Sequence, residues 1–293
     1  MRRRGGGFNG STSVIPFRSS PLPSCPPEVF LDGVGLRSGR TSAVVLSRSS
    51  GPFAFIVDGT RVPLAGVVAV SAERATVVRA GGAEVATVEH LLAACAAFGL
   101  HEGLSVEVRG GEVPLLDGGA AAFARALASL DLSAVAPRLE VVRDEVIQQG
   151  ESRYTFRRAS ATASPAARVS VTIAFGDPRL SPEAAWNGTR DDFVQRIAAA
   201  RTFAFSHEVA ELAARGHASH VDPESVVLIA DAEVLSRGRP FTEDEPARHK
   251  LLDLMGDLFL YGGPPRGEVH ALRPGHATTH AVMRRALAAG IVA

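Results

Sequence analysis

The sequence predicts an α+β chain of two similar domains, each a layered β-sheet with helices. Three observations carry this expectation. Strand-like segments precede helix-like segments, and that order runs through the chain twice, whereas a doubly wound parallel sheet alternates the two one for one. A Pro-containing break at 131–138 separates the two runs. The 293 residues are too many for most single cores and suit two domains of roughly 100–150 residues. The expected division is a disordered leader over 1–25, an N-terminal α+β domain over 26–135 and a C-terminal α+β domain over 136–293. No short-period repeat accompanies it, so the duplication is one of architecture.

The elements follow in order. Ser, Pro, Gly and Arg dominate through Pro27, a composition that buries too little surface to order itself. Strand signals then run over Val29–Leu36, Ser42–Leu46, Phe53–Val57 and Thr60–Leu64, punctuated by turns at Ser38-Gly39, Ser49–Gly51 and Asp58-Gly59. Composition becomes helical at Glu89-His90, with Thr87 as the expected N-cap. Leu104–Val108 alternates like a strand, and Pro114–Gly119 leads into an Ala-rich helix reaching Ala128. Strand-like patterning returns at Leu139–Ile147, Tyr154–Arg157 and Arg168–Phe175. Helices follow at Asp191–Ala199 and Glu208–Ala214, then a strand at Val226–Ala230. A helix through Arg248–Asp257, a strand at Glu268–Leu272 and a last helix over Ala277–Ala289 complete the chain.

Lys+Arg and Asp+Glu balance at 31 each, so no overall field attracts nucleic acid or an anionic membrane. There is no run of about 18 apolar residues, which argues against a membrane-spanning helix. The start, Met1-Arg2-Arg3-Arg4-Gly5-Gly6-Gly7, is basic but lacks the apolar stretch of a secretory signal. Cys25 and Cys95 sit far apart in unlike contexts, so a disulfide framework is not expected and a reducing cytoplasm fits.

The chemistry concentrates in three segments. On a helix, His249, Asp253 and Asp257 fall at i, i+4 and i+8, placing an imidazole and two carboxylates on one stripe between apolar residues. Taken alone, such a stripe is a solvated face. Buried, it needs partners, and a metal ion is the partner that best explains imidazole and carboxylate one turn apart. With His90 added, His90, His249 and Asp253 make a three-ligand set with an open fourth position, the catalytic form of a Zn²⁺ site; Fe²⁺ suits the same donors. Glu89, beside His90, is placed as general base, and His276, in a turn before the last helix, as general acid, with Asp257 holding it. Lys250 points off the stripe and offers a cation to substrate. His101, His207, His217, His220, His270 and His280 read as ordinary structural or surface histidines.

Thr87-Val88-Glu89-His90-Leu91-Leu92-Ala93-Ala94, Ala200-Arg201-Thr202-Phe203, Arg248 through Leu258 and Pro274-Gly275-His276-Ala277 resemble the four hallmark segments of the UDP-3-O-acyl-N-acetylglucosamine deacetylase family. Gly33-Val34-Gly35-Leu36 with Ser38-Gly39, and Glu112 through Gly118, resemble two more, so the likeness covers nearly everything from about Val29 onward. It implies an active site between the two domains, zinc on His90, His249 and Asp253, Glu89 as base and His276 as acid supported by Asp257. It further implies the Thr202 hydroxyl near the oxyanion and Phe203 and Lys250 against a UDP-linked acylated amino sugar. The implied reaction is hydrolysis of the N-acetyl group with release of acetate, in lipid A biosynthesis, by an expected cytoplasmic monomer. Two positions and one segment depart from the family: Arg37 replaces a histidine, Pro246 an apolar or aromatic residue, and Ser219-His220-Val221-Asp222 a glycine-rich stretch. Losing glycines adds side chains where the acyl chain should pass, with His220 and Asp222 expected to line that passage. A binding or regulatory relative, or deacetylation of another UDP-N-acetyl sugar, is the alternative these departures raise.

Overall fold

The structure, a computed structural model, describes residues 27–72, 74–159, 167–209 and 220–293; the expected leader, Cys25, His217 and Ser219 lie outside them. In the N-terminal half, strands β1 (Glu28–Val34), β2 (Thr41–Pro52), β3 (Ala54–Val57), β4 (Thr60–Pro63) and β8 (Glu102–Arg109) form a sheet of order β1-β2-β8-β3-β4. In the C-terminal half, β9 (Glu145–Gln149), β10 (Ser152–Arg157), β11 (Ala167–Thr172), β12 (Glu183–Trp186) and β16 (Gly267–Leu272) form a sheet of order β9-β10-β16-β11-β12. The two orders are the same. Each sheet has one parallel pair, β3 with β8 and β11 with β16, and antiparallel pairs elsewhere. The expected duplication is therefore present in the hydrogen-bond topology itself.

Period-2 patterning explains the inner faces. Along β10, Ser152, Tyr154 and Phe156 are buried while Arg153 and Arg157 face out, and across β2 and β8 the pairs Val44–Val108 and Leu46–Val106 set the register. Each half also carries an inserted three-stranded sheet. The first comprises β5 (Val67–Ala72), β6 (Ala75–Ala80) and β7 (Ala83–Ala86), the second β13 (Thr202–Phe205), β14 (Val226–Ile229) and β15 (Val234–Leu235). Strands β5, β6, β7, β12, β13 and β15 are absent from the sequence expectation. Three of them are alanine-rich and short, which weakens strand propensity, and the Gly81-Gly82 turn between β6 and β7 is their one clear hairpin signal.

Five helices are used below: α1 (Glu89–Phe98), α2 (Ala121–Ser129), α3 (Arg190–Asp192), α4 (Glu245–Phe259) and α5 (His276–Ala288). The helix expected over Asp191–Ala199 is instead the short α3, capped by the Thr189 hydroxyl, running into a π-helical turn at Phe193–Ile197. The one expected over Glu208–Ala214 is described only at 206–209, where the chain is helical. Thr87 is not an N-cap. Its backbone is left-handed (φ 57°) and its hydroxyl donates to Glu112 Oε1 at 2.9 Å, leaving Val88 at the cap with no side-chain bond. Pro246 sits in the first turn of α4, where a missing N–H costs nothing.

Every residue of α1 is buried, and α4 is buried along most of its length, so both are interior helices and not amphipathic surface ones. They pack on one another within a continuous core that joins Leu46 of the first sheet, Leu91 and Leu92 of α1, Leu251 and Leu254 of α4, and Phe156 and Val169 of the second sheet. Gly256 makes their approach possible: a Cβ there would stand 2.0 Å from the Glu89 carbonyl oxygen. Gly256→Ala is therefore expected to lower stability by about 1–3 kcal/mol, read from denaturant unfolding, as backbone must shift to admit the methyl group. Among the described residues Cys95 is a buried free thiol, its pKa raised by burial, and no helix is long and apolar enough to cross a membrane.

Candidate active site

The α1–α4 contact brings His90 from the first turn of α1 against His249 and Asp253, one turn apart on α4. The donor atoms of the three lie within 4.8 Å of one another, and all three side chains are buried. His90 Nε2 and His249 Nε2 stand 3.6 and 3.5 Å from Asp253 Oδ1. That oxygen is buried without a hydrogen-bond partner among the described residues, an acceptor between two imidazole nitrogens. His249 Nδ1 donates to the Ala200 carbonyl at 3.0 Å, which fixes the tautomer that leaves Nε2 bare toward Asp253. Burial lowers the His249 pKa to about 4, favouring the neutral ligand form. Burial also works to raise Asp253, but the Lys250 ammonium and the His249 imidazole outweigh it and hold the carboxyl well below its usual range. The Nε2 atoms of two imidazoles, that of His249 bare, facing one carboxylate oxygen in one buried pocket, fit a divalent metal ion.

Lys250 differs from its expectation. Its Nζ reaches Asp253 Oδ2 at 2.8 Å, because i and i+3 share a helical face, so it stands beside the stripe while also lining the cavity described below. Glu89 is buried, and burial raises its pKa despite the histidines nearby. Its Oε2 accepts from the Thr76 backbone N–H at 3.0 Å, and its Oε1 is 3.8 Å from His276 Nε2. His276 Nδ1 donates to Asp257 Oδ2 at 2.9 Å, as expected of a supported imidazolium. Desolvation pulls its pKa down, but Asp257, then Glu89 and Asp253, prevail and push it up to about 9. Its Nε2 thus faces the gap between Glu89 and Asp253, 3.8 Å from each.

Glu89, His90, His249, Lys250 and Asp253 line a cavity of about 660 Å³, while His276 and Asp257 are not among its lining residues. Thr202 and Phe203, the first residues of β13, enter it from the side; the Thr202 N–H is anchored on the Gly118 carbonyl at 2.8 Å. Above them Phe175, Phe203 and Phe205 meet edge to face, with ring centroids 5.1–6.1 Å apart, and Val226, Leu228 and Leu235 continue an apolar wall. Arg37, Arg74 and Arg237 lie at the same cavity. A metal-sized polar floor, an apolar channel and several cations together suit a substrate with a hydrolysable polar centre, a long apolar arm and negative charge.

The altered segment behaves differently from its expectation. His220 does not line the cavity: its Nε2 lies 3.1 Å from the Leu36 carbonyl and its ring packs against Gly39. Asp222 accepts from the Glu224 N–H in a local turn. The residues between and after them, Val221 and Pro223, face the cavity instead. Sequence reasoning also missed Thr76 and placed His280 among the ordinary structural or surface histidines. Thr76 lies on the unexpected strand β6. His280, fully buried, sits one turn after His276 on α5, a spacing visible in the sequence.

Residues 26–288 match the family described as LpxC, UDP-3-O-acyl N-acetylglycosamine deacetylase. The chain is also similar to three curated proteins, each named UDP-3-O-acyl-N-acetylglucosamine deacetylase. That of Syntrophotalea carbinolica is 33% identical over 268 residues, covering 88% of this chain and 85% of the relative. That of Myxococcus xanthus is 34% identical over 269 residues, covering 88% and 83%. That of Anaeromyxobacter dehalogenans is 33% identical over 269 residues, covering 89% and 85%. With the duplicated α+β sheets and the buried His-His-Asp set already in place, the chain belongs to the UDP-3-O-acyl N-acetylglycosamine deacetylase family, a family of metalloenzymes.

Proposed function

We propose that the protein hydrolyses the N-acetyl group of UDP-3-O-acyl-N-acetylglucosamine, releasing acetate and a free amine, in the lipid A biosynthesis of a bacterial cytoplasm. The observation that carries this reading is the orphaned Asp253 Oδ1 facing His90 and His249 at the floor of an apolar cavity, in a chain of this family. His90, His249 and Asp253 would hold the ion, Zn²⁺ by their donor types. When bound, such an ion polarises the amide carbonyl and brings the pKa of a water to about 7. Glu89 takes the proton of the attacking water, its raised pKa bringing it closer to neutral operation. His276 delivers a proton from Nε2 to the departing nitrogen, and Asp257 keeps it charged and aimed. The Thr202 hydroxyl stands toward the developing oxyanion, Lys250 and Phe203 touch the substrate, and the apolar wall takes the acyl chain. We take 26–135 and 136–293 as the two domains that build the site, acting within one monomer.

The reading is tested by incubating the zinc-loaded protein with UDP-3-O-acyl-N-acetylglucosamine and with UDP-N-acetylglucosamine lacking the acyl chain. Acetate from the first, at a much higher kcat/KM than from the second, is expected; no acetate from either defeats it. The protonation states also set the pH dependence. Glu89 acts deprotonated, so activity rises with pH through its raised pKa. His276 acts protonated, so activity falls as pH rises through about 9. A kcat/KM profile that is flat from neutral pH to pH values well above 9 contradicts the His276 role.

A further inference from the structure

Behind His276 lies a second polar layer that the proposed reaction does not use. Thr76 Oγ1 stands 2.5 Å from Asp257 Oδ1, 3.1 Å from His276 Nδ1 and 3.2 Å from His280 Nε2. His280 Nδ1 lies 3.1 Å from the Tyr261 hydroxyl. Thr76, Asp257 and His280 are almost wholly buried, and the three come from different elements: β6, α4 and α5. The layer therefore ties the first inserted sheet to both helices that frame the site.

Donor counting gives each bond its direction. An ionised carboxylate only accepts, so the Thr76 hydroxyl donates its single proton to Asp257 Oδ1 and can then only accept from other groups. His280 Nε2 must therefore carry a proton and donate to Thr76 Oγ1. Burial lowers the His280 pKa and keeps the ring neutral, so its Nδ1 is bare and accepts from the Tyr261 hydroxyl. The bonds run one way, from Tyr261 to His280 to Thr76 to Asp257, while Asp257 Oδ2 accepts from His276 Nδ1. With this layer in place Asp257 has donors on both oxygens and cannot turn about its terminal torsion without losing one. Without it, the carboxylate holding the acid is anchored by His276 alone.

We infer that Thr76, His280 and Tyr261 are positioning residues for His276, acting through Asp257 and defined by a single His280 tautomer with its proton on Nε2. The inference rests on the deacetylase reading. Loss of such outer partners typically lowers activity about 10–100-fold without removing the groups that touch substrate.

The test compares zinc-loaded wild type with Thr76→Val, Thr76→Ser and Tyr261→Phe, measuring kcat, KM, bound zinc, melting temperature and the ¹⁵N shifts of His280. Thr76→Val and Tyr261→Phe should lower kcat about 10–100-fold at unchanged KM and zinc content, with Thr76→Ser restoring most of it. Wild-type and Tyr261→Phe His280 should both show the Nε2–H tautomer that Thr76 imposes, and Thr76→Val a mixture. Should Thr76→Val fail to fold, Tyr261→Phe at the half-buried end of the layer carries the same readouts. Folded, zinc-loaded variants with wild-type kcat, or an Nδ1–H tautomer in the wild type, overturn the inference. A wild type without turnover defeats the deacetylase reading instead, and the ¹⁵N shifts still decide the direction of the bonds.

Discussion

Glu89→Gln is expected to lower kcat for acetate release by about 10²–10⁴-fold while leaving bound zinc and melting temperature close to wild type, since general-base catalysis contributes on that scale. The amide retains the shape of the carboxylate and can still accept from the Thr76 N–H, the bond that orients the side chain at 3.0 Å. It cannot take a proton from water. The variant also removes a buried charge 3.8 Å from His276 Nε2, so His276 loses one of the carboxylates that raise its pKa. The alkaline limb of whatever activity remains should therefore move to lower pH. Measuring kcat together with zinc content separates this outcome from loss of the metal: an inactive variant without zinc would say nothing about the base, whereas a zinc-loaded variant with wild-type kcat removes Glu89 from the chemistry.

The second large effect belongs to His249. His249→Ala removes one of the three proposed ligands and also the Nδ1–H bond to Ala200 that aims the ring. Metal affinity should fall by more than the roughly 10–100-fold that changes to outer partners cause, and activity should fall to background at equimolar zinc. Asp253 keeps the Lys250 ammonium at 2.8 Å, so the pocket should remain folded. Zinc stoichiometry by metal analysis, beside circular dichroism, reads both parts. Full zinc occupancy in His249→Ala would place the ion elsewhere.

The parts of the fold and site that were legible in the sequence share a physical cause. His249, Asp253 and Asp257 were readable because a helix repeats its face every three to four residues and because charges on an otherwise apolar face demand partners. The duplication was readable because strand-then-helix order survives even where individual strands are poorly marked, and both five-stranded sheets keep the same strand order. What was not legible depends on contacts between distant segments. Strands β6 and β7 are alanine-rich, so Thr76 had no recognised element to place it, although it touches Asp257, His276 and His280. His280 looked ordinary because its importance comes from Thr76 and Tyr261, neither of which its own neighbourhood announces. Lys250 was assigned to substrate alone because spacing shows which face a residue shares but not how far a flexible ammonium reaches. In the Ser219–Asp222 segment the polar side chains attract attention in sequence, while Val221 and Pro223 are the ones that face the cavity.

The proposed mechanism turns on one divalent ion held by His90, His249 and Asp253 and used to cleave an N-acetyl group. Its most direct test is a titration of zinc into metal-stripped protein, following acetate released from UDP-3-O-acyl-N-acetylglucosamine. Activity absent in the stripped protein, rising linearly and reaching its plateau at one zinc per chain, is the predicted result. Equal turnover by the stripped protein, or no acetate once one zinc per chain is bound, would contradict it.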